Sequence, residues 1–203
     1  IRKIATNHMS HRFTKPMTLA AGVLVALVFS SCGPQVDNNN KMIVSVRDQK
    51  MVLMKDNQPI KTYKISTSKF GVGDNPRSNR TPLGHMEVAK KIGCGQPAGA
   101  VFKSRRPTGE VIKPNAPGRD PIVSRILWLR GADSHNRNAF KRYIYIHGTP
   151  EMHRLGTPAS YGCIRMGMKD VIDLYNRVGT GADVYVVRGS LGNMVPERSL
   201  VAR

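Results

Sequence analysis

From Lys41 onward the chain is a series of short apolar runs separated by turn residues, and only one later stretch repeats at helical spacing. Residues 42–46, 51–54 and 60–66 are each strand-length; the first two are rich in Met and Val, and the third alternates Ile60, Thr62 and Lys64 with Lys61, Tyr63 and Ile65. Arg47-Asp48-Gln49 and Lys55-Asp56-Asn57-Gln58 between them are turn chemistry, so the region predicts a β-meander. Further strands are expected at 84–92, 122–129, 142–147 and 182–187, and residues 93–118, rich in Gly, Pro and charge, read as a long loop. Met168, Val171, Ile172, Tyr175 and Val178 lie on one helical face, with Gly179 as a stop. The fold class that follows is mainly β with one short helix.

The N-terminal segment has a different composition. Residues 17–29 are uninterrupted apolar, Arg12 and Lys15 precede them, and Ser30 and Ser31 follow. A basic stretch, a short apolar core and a small-residue exit are the pattern of a secretory signal. At 13 residues the run is short of the roughly 20 needed to span a bilayer. Ser30-Ser31-Cys32-Gly33 is similar to a bacterial lipobox, with Phe29 standing where an aliphatic residue is usual. Cys32 is thus the expected lipidation site. Residues 1–8 read as translation upstream of a start at Met9.

The expected division is 1–31 signal segment, 32–40 lipidated cysteine and polar tether, 41–188 catalytic domain, and 189–203 loose tail. The location expected for such a chain is the bacterial cell envelope, as a membrane-anchored lipoprotein facing the periplasm or extracytoplasmic space. The formal charge is +19, of which four basic residues lie in 1–31, leaving +15 on the rest. Such a balance favours polyanions. Export and the absence of an aromatic-interleaved RNA-binding motif argue against nucleic acid, and the favoured reading is a solvated cationic surface held near an anionic envelope.

The residues that carry chemistry are His147-Gly148-Thr149 and Ser160-Tyr161-Gly162-Cys163-Ile164-Arg165-Met166. A cysteine attacks as thiolate and needs a base such as imidazole to take its proton. A glycine before the nucleophile admits close approach of substrate to backbone. In residues 142–147, Ile144 and Ile146 share one face of the strand, and Tyr143, Tyr145 and His147 share the other. His147 is therefore expected on a polar-aromatic face at a strand end. A zinc set of His147, Glu151, His153 and Cys163 is the competing reading, but no compact ligand motif is present. Cys94 sits among glycines with no catalytic neighbours, and a Cys94–Cys163 disulfide has no support in the pattern.

These two segments resemble the L,D-transpeptidase catalytic domain, or YkuD domain, whose members carry a histidine followed by a Ser-His-Gly-Cys-(Ile/Val)-(Arg/Asn) motif. The match includes His147, Gly148, Ser160, Gly162, Cys163, Ile164 and Arg165, and extends to Ser66-Thr67-Ser68 and Arg80-Thr81-Pro82-Leu83-Gly84. Tyr161 stands where many members have histidine. The resemblance implies a β-sandwich with a capping helix, acting as a monomer on peptidoglycan stem peptides without metal or cofactor. Cys163 would be the nucleophile and His147 the base. Gly162 and Cys163 would supply oxyanion donors, with Gly148, Arg165, Ser160 and Tyr161 supporting the site. Hydrolysis on the same fold, as an L,D-carboxypeptidase or amidase, and a non-catalytic wall-binding lipoprotein are the alternatives.

Overall fold

The structure, a computed structural model, describes residue 1 and residues 36–193. Cys32 and the apolar run before it lie outside the described residues, as do residues 194–203.

Ten strands and one helix follow in the order β1 (Asn40–Ser45), β2 (Lys50–Lys55), β3 (Gln58–Ser66), β4 (Gly84–Ile92), β5 (Ala100–Lys103), β6 (Arg106–Val111), β7 (Ile122–Gly131), β8 (Tyr145–Gly148), β9 (Ile164–Met166), α1 (Met168–Arg177) and β10 (Asp183–Val187). The strands form one sheet in the order β4-β10-β1-β2-β3-β9-β8-β7-β5-β6. Because β7 also pairs with β4, eight strands close into a ring and the β5–β6 hairpin hangs from β7. Closure removes most of the free edge that an open sheet would present. Two neighbours in the ring run parallel, β1 with β10 and β8 with β9, and the others run antiparallel.

Alternation along the strands fills the ring. Met42, Val44, Met51, Leu53, Tyr63, Ile65, Met86, Val88, Leu127, Leu129, Ile146, Ile164 and Met166 point into the main core. The helix contributes Val171, Leu174, Tyr175 and Val178, spaced i, i+3, i+4 and i+7 as one buried stripe. It packs on β7 and β8. Truncating a fully buried member such as Ile146 would remove about 2–5 kcal/mol.

The fold departs from the sequence expectation in four places. Residues 93–118 contain the β5–β6 hairpin, which sequence periodicity does not reveal because all six residues of β6 are exposed. β9 is three residues long, too short for any periodic signal. β8 begins at Tyr145 because Tyr143 adopts a left-handed φ of +58° inside a turn. Both ends of the domain also dock further than expected. Asp37 is buried and accepts the Gly179 amide at 2.7 Å, while Asp48 accepts the Leu191 amide at 2.7 Å. Leu191 then covers Val52 and Met54. No helix among the described residues is long and apolar enough to cross a membrane.

Gly148 shows how tightly β8 is set. A Cβ there would lie 2.6 Å from the Val123 carbonyl oxygen and 3.0 Å from Val171 Cγ1. The carbonyl belongs to the neighbouring backbone and cannot rotate away. Gly148→Ala is therefore expected to lower stability by about 1–3 kcal/mol, read as a shift in denaturant midpoint. An unchanged midpoint would mean that β7 and β8 separate easily.

Candidate active site

The nucleophile motif folds as a clamped turn. Gly162 has φ of +119°, a conformation that side-chain-bearing residues rarely adopt, and a Cβ there would lie 3.3 Å from the Arg80 carbonyl oxygen. Ser160 Oγ donates to the Cys163 carbonyl at 2.5 Å and accepts the Gly162 amide at 3.2 Å. Thr81 Oγ1 donates to the Gly162 carbonyl at 3.0 Å and accepts the Ser68 amide at 3.0 Å. Ser160 and Thr81 thus hold the backbone around the thiol. The Gly162 amide, expected from the motif as an oxyanion donor, is engaged by Ser160; the Cys163 amide has no acceptor among the described residues.

Cys163 is a free thiol, partly buried at the start of β9. Its Sγ receives the Tyr145 amide at 3.4 Å and donates to the Tyr143 carbonyl at 3.4 Å. The parallel β8–β9 register pairs His147 with Arg165, and Cys163 lies beside Tyr145. Since alternate residues of a strand share a face, Tyr145 and His147 of β8 lie on the same side as Cys163 and Arg165. Ile144 and Ile146 occupy the opposite side, in the main core. The polar-aromatic face expected from the sequence is where the structure places His147.

His147 is buried, and its Nδ1 lies 2.9 Å from the Gly148 carbonyl oxygen. A carbonyl can only accept, so Nδ1 carries the proton and Nε2 keeps its lone pair in the neutral ring. Burial pushes the imidazole pKa well below the ordinary histidine value; the Gly148 carbonyl and the Asp120 carboxylate oppose this, and Arg165 adds to it. Burial likewise pushes the Cys163 thiol up to about 11, against the Tyr145 amide and the charges of Arg165 and Arg142, which favour the thiolate. Both shifts have one sign for the chemistry: the resting pair is neutral, a thiol and an imidazole. The cost of enclosing the sulphur outweighs the nearby positive charges of Arg165 and Arg142.

Arg165 is not available to a substrate carboxylate. Its guanidinium lies 2.5 Å from Asp120 and 2.9 Å from Glu151, and Thr149 Oγ1 donates to the same Asp120. Glu151 is shared with Arg154, so of the two carboxylates it is Asp120 whose charge favours a protonated imidazole at His147. Arg142 is held in the same way, 2.9 Å from the buried Asp74, with further bonds to the Gly73 and Arg80 carbonyls. Asp120 and Arg142 have no motif spacing to mark them, whereas Thr81 lies in the segment that carries the family resemblance and Glu151 was marked only as a zinc candidate. For Asp120 and Glu151 the sequence signal is scarcity, since the chain has 13 acids against 32 basic residues and each acid near the motif stands out.

The remaining candidates separate. Glu151 turns to Arg165, and His153 lies 3.2 Å from Asn115 Oδ1, so neither joins Cys163. No group of metal-ligating side chains forms among the described residues. Tyr161 is exposed at the rim, where its hydroxyl receives Lys69 Nζ at 2.9 Å and its ring lies 5.5 Å from Phe70. Cys94 is disulfide-bonded. His85 lies 2.7 Å from Asp183 and stacks on Tyr185.

The charge arrangement predicts a pH dependence. Alkylation of Cys163 by a small neutral reagent should rise with pH until the thiol titrates near 11. Only about one thiol in ten thousand is ionised at pH 7 with such a pKa. Asp120→Asn removes an opposing charge, so the His147 pKa falls further and the acid limb of turnover moves to lower pH. Intact-protein mass against pH reads the first and steady-state kinetics the second. An alkylation plateau below pH 8 would show a preformed thiolate.

A family model described as the L,D-transpeptidase catalytic domain, YkuD, matches residues 39–186. No curated protein sequence matches the chain. Among solved structures, L,D-transpeptidase 3 from Mycobacterium tuberculosis in complex with a faropenem-derived adduct is similar at 18% identity and a TM-score of 0.47, over 73% of this chain and 60% of that one. An L,D-transpeptidase from Mycobacterium smegmatis is similar at 14% identity and TM-score 0.47, over 73% and 58%. One from Xylanimonas cellulosilytica is similar at 16% and 0.47, over 76% and 63%. The chain spans about three fifths of the length of these solved chains. The matched segment, which holds the closed strand ring together with His147 and Cys163, makes the chain a member of the YkuD family of L,D-transpeptidase catalytic domains.

Proposed function

We propose that this chain is a cysteine acyltransferase acting on peptidoglycan stem peptides, forming cross-links between diaminopimelate residues or attaching a protein amine to them. The observation that carries this reading is a free thiol opening onto a cavity, on the same strand face as an imidazole whose Nδ1–H is anchored to a carbonyl. In that tautomer Nε2 is the free base. The family membership supplies the substrate class.

The steps follow from the site. Binding of the donor tetrapeptide turns the thiol from the Tyr143 carbonyl toward His147, which takes its proton. Sγ attacks the carbonyl between the L-centre of diaminopimelate and the terminal D-alanine, and the Cys163 amide receives the developing oxyanion. His147 then gives the proton to the departing D-alanine amine, leaving a thioester on Cys163. An acceptor amine attacks the thioester, loses its proton to His147 and releases the thiol, protonated again from the imidazolium. Asp120 stabilises that imidazolium twice per cycle.

We also place the chain at the cell envelope, anchored by lipid on Cys32. An acyl mass lost in Cys32→Ser supports the anchor; wild-type protein without that mass removes it.

The decisive measurement is incubation of the protein with purified stem tetrapeptide, followed by mass analysis. A cross-linked dimer is the expected product. A tripeptide would assign hydrolysis to the site instead, and an unchanged substrate would leave a binding protein. Cys163→Ala should reduce product by on the order of a thousandfold or more with the fold retained. Full turnover in that variant would end the cysteine mechanism.

A further inference from the structure

The cavity on which Cys163 opens has a volume of about 360 Å³, and its lining includes Arg77, Asn79, Lys141, Arg142 and Tyr161 but no acidic residue. Its three cations are not equivalent. Arg142 is turned into the protein, its guanidinium compensated by Asp74 and by the Gly73 and Arg80 carbonyls. Arg77 and Lys141 are exposed, and neither has a hydrogen bond or ion pair among the described residues. Two uncompensated positive charges therefore stand on the wall of the cavity that holds the nucleophile.

Their loop is held in place. Arg77 and Asn79 have φ of +61° and +56°, which is unfavourable for residues with side chains. The conformation is kept by Ser68 Oγ, which donates to the Asn79 carbonyl at 2.5 Å, and by Arg142 Nη2, which donates to Ser78 Oγ at 3.2 Å. Lys141 lies next to Arg142 in sequence, so the bonds that fix Arg142 also fix the backbone that bears Lys141. The two cations are brought to one cavity by separate segments tied together through the Arg142–Asp74 pair.

We propose that Arg77 and Lys141 form a carboxylate subsite that receives an ionised carboxylate of the peptide whose scissile carbonyl lies on Cys163. This rests on the reading of the site as a stem-peptide acyltransferase. Two carboxylates of such a donor lie within a residue of that carbonyl, the terminal one of D-alanine and the one on the D-centre of diaminopimelate. The shared chemistry is a planar anion that a guanidinium and an ammonium grip together. The enzyme would consequently discriminate a free carboxylate from its amide.

Two measurements test this, and only the second needs the natural substrate. In the first, Cys163 is alkylated by iodoacetate and by its neutral isostere iodoacetamide, in wild type and in Arg77→Gln/Lys141→Gln. The iodoacetate-to-iodoacetamide rate ratio should fall about tenfold in the double variant at low salt, while the iodoacetamide rate, which reports an intact thiol and fold, is kept. If the double variant does not fold, Lys141→Gln alone should show a smaller fall. An unchanged ratio overturns the subsite.

In the second, tetrapeptides amidated at either carboxylate are compared with the free peptide. Amidation at one position should raise KM about tenfold in wild type and have no effect in the double variant; the position identifies the carboxylate. Turnover of the free peptide with indifference to both amidations overturns the proposal. If wild type turns over none of the peptides, the acyltransferase reading fails and the alkylation ratio alone decides the subsite.

Discussion

The site depends on the parallel pairing of β8 with β9. These two strands, four and three residues long, join the β1–β3 meander to β7 and so complete the ring. The same pairing sets His147 beside Arg165 and brings Cys163 next to Tyr145. Parallel neighbours require a crossover connection, and residues 149–163 provide it without a regular helix, through a 3₁₀ turn at Met152–Arg154 and the clamped turn before the nucleophile. Stability and chemistry are thereby linked. Ile146 and Ile164 fill the core from one face of these strands while His147 and Cys163 lie on the other.

Charge is handled in two ways around this pairing. Arg165 and Arg142 are each drawn into the protein by carboxylates, Asp120 and Glu151 for the first and Asp74 for the second. Breaking a buried pair of this kind leaves an uncompensated charge, at a cost of about 3–5 kcal/mol. Arg77 and Lys141 remain uncompensated at the cavity. A chain with 32 basic and 13 acidic residues has few carboxylates to distribute, and those near the thiol neutralise structural arginines. Positive charge is left where an anionic substrate would arrive. Enclosure of the thiol and imidazole keeps the resting pair neutral, so proton transfer waits on the substrate.

Much of the fold was legible in the chain because it depends on local periodicity. β1 to β4, β7, α1 and β10 each have enough residues to show alternation or a helical stripe, and the structure places them within a few residues of the expected bounds. β6 was hidden because none of its residues is buried, and β9 because three residues cannot display a period. The start of β8 was misjudged because the left-handed turn at Tyr143 depends on its surroundings and not on residue type.

By itself the sequence determined the mainly-β class, the helix at 168–177, the family, and the choice of Cys163 and His147 as the candidate pair. Residue chemistry and short spacing carry all of these: glycine before a cysteine, a histidine at the end of an alternating strand, turn residues between apolar runs. Tertiary structure alone decided that Ser160 and Thr81 clamp the turn, that Asp120 and Glu151 hold Arg165 away from substrate, and which cations face the cavity uncompensated. Those outcomes follow from charges and donors meeting across residues distant in the chain. Where such groups meet is settled by the strand register, and no local pattern records it.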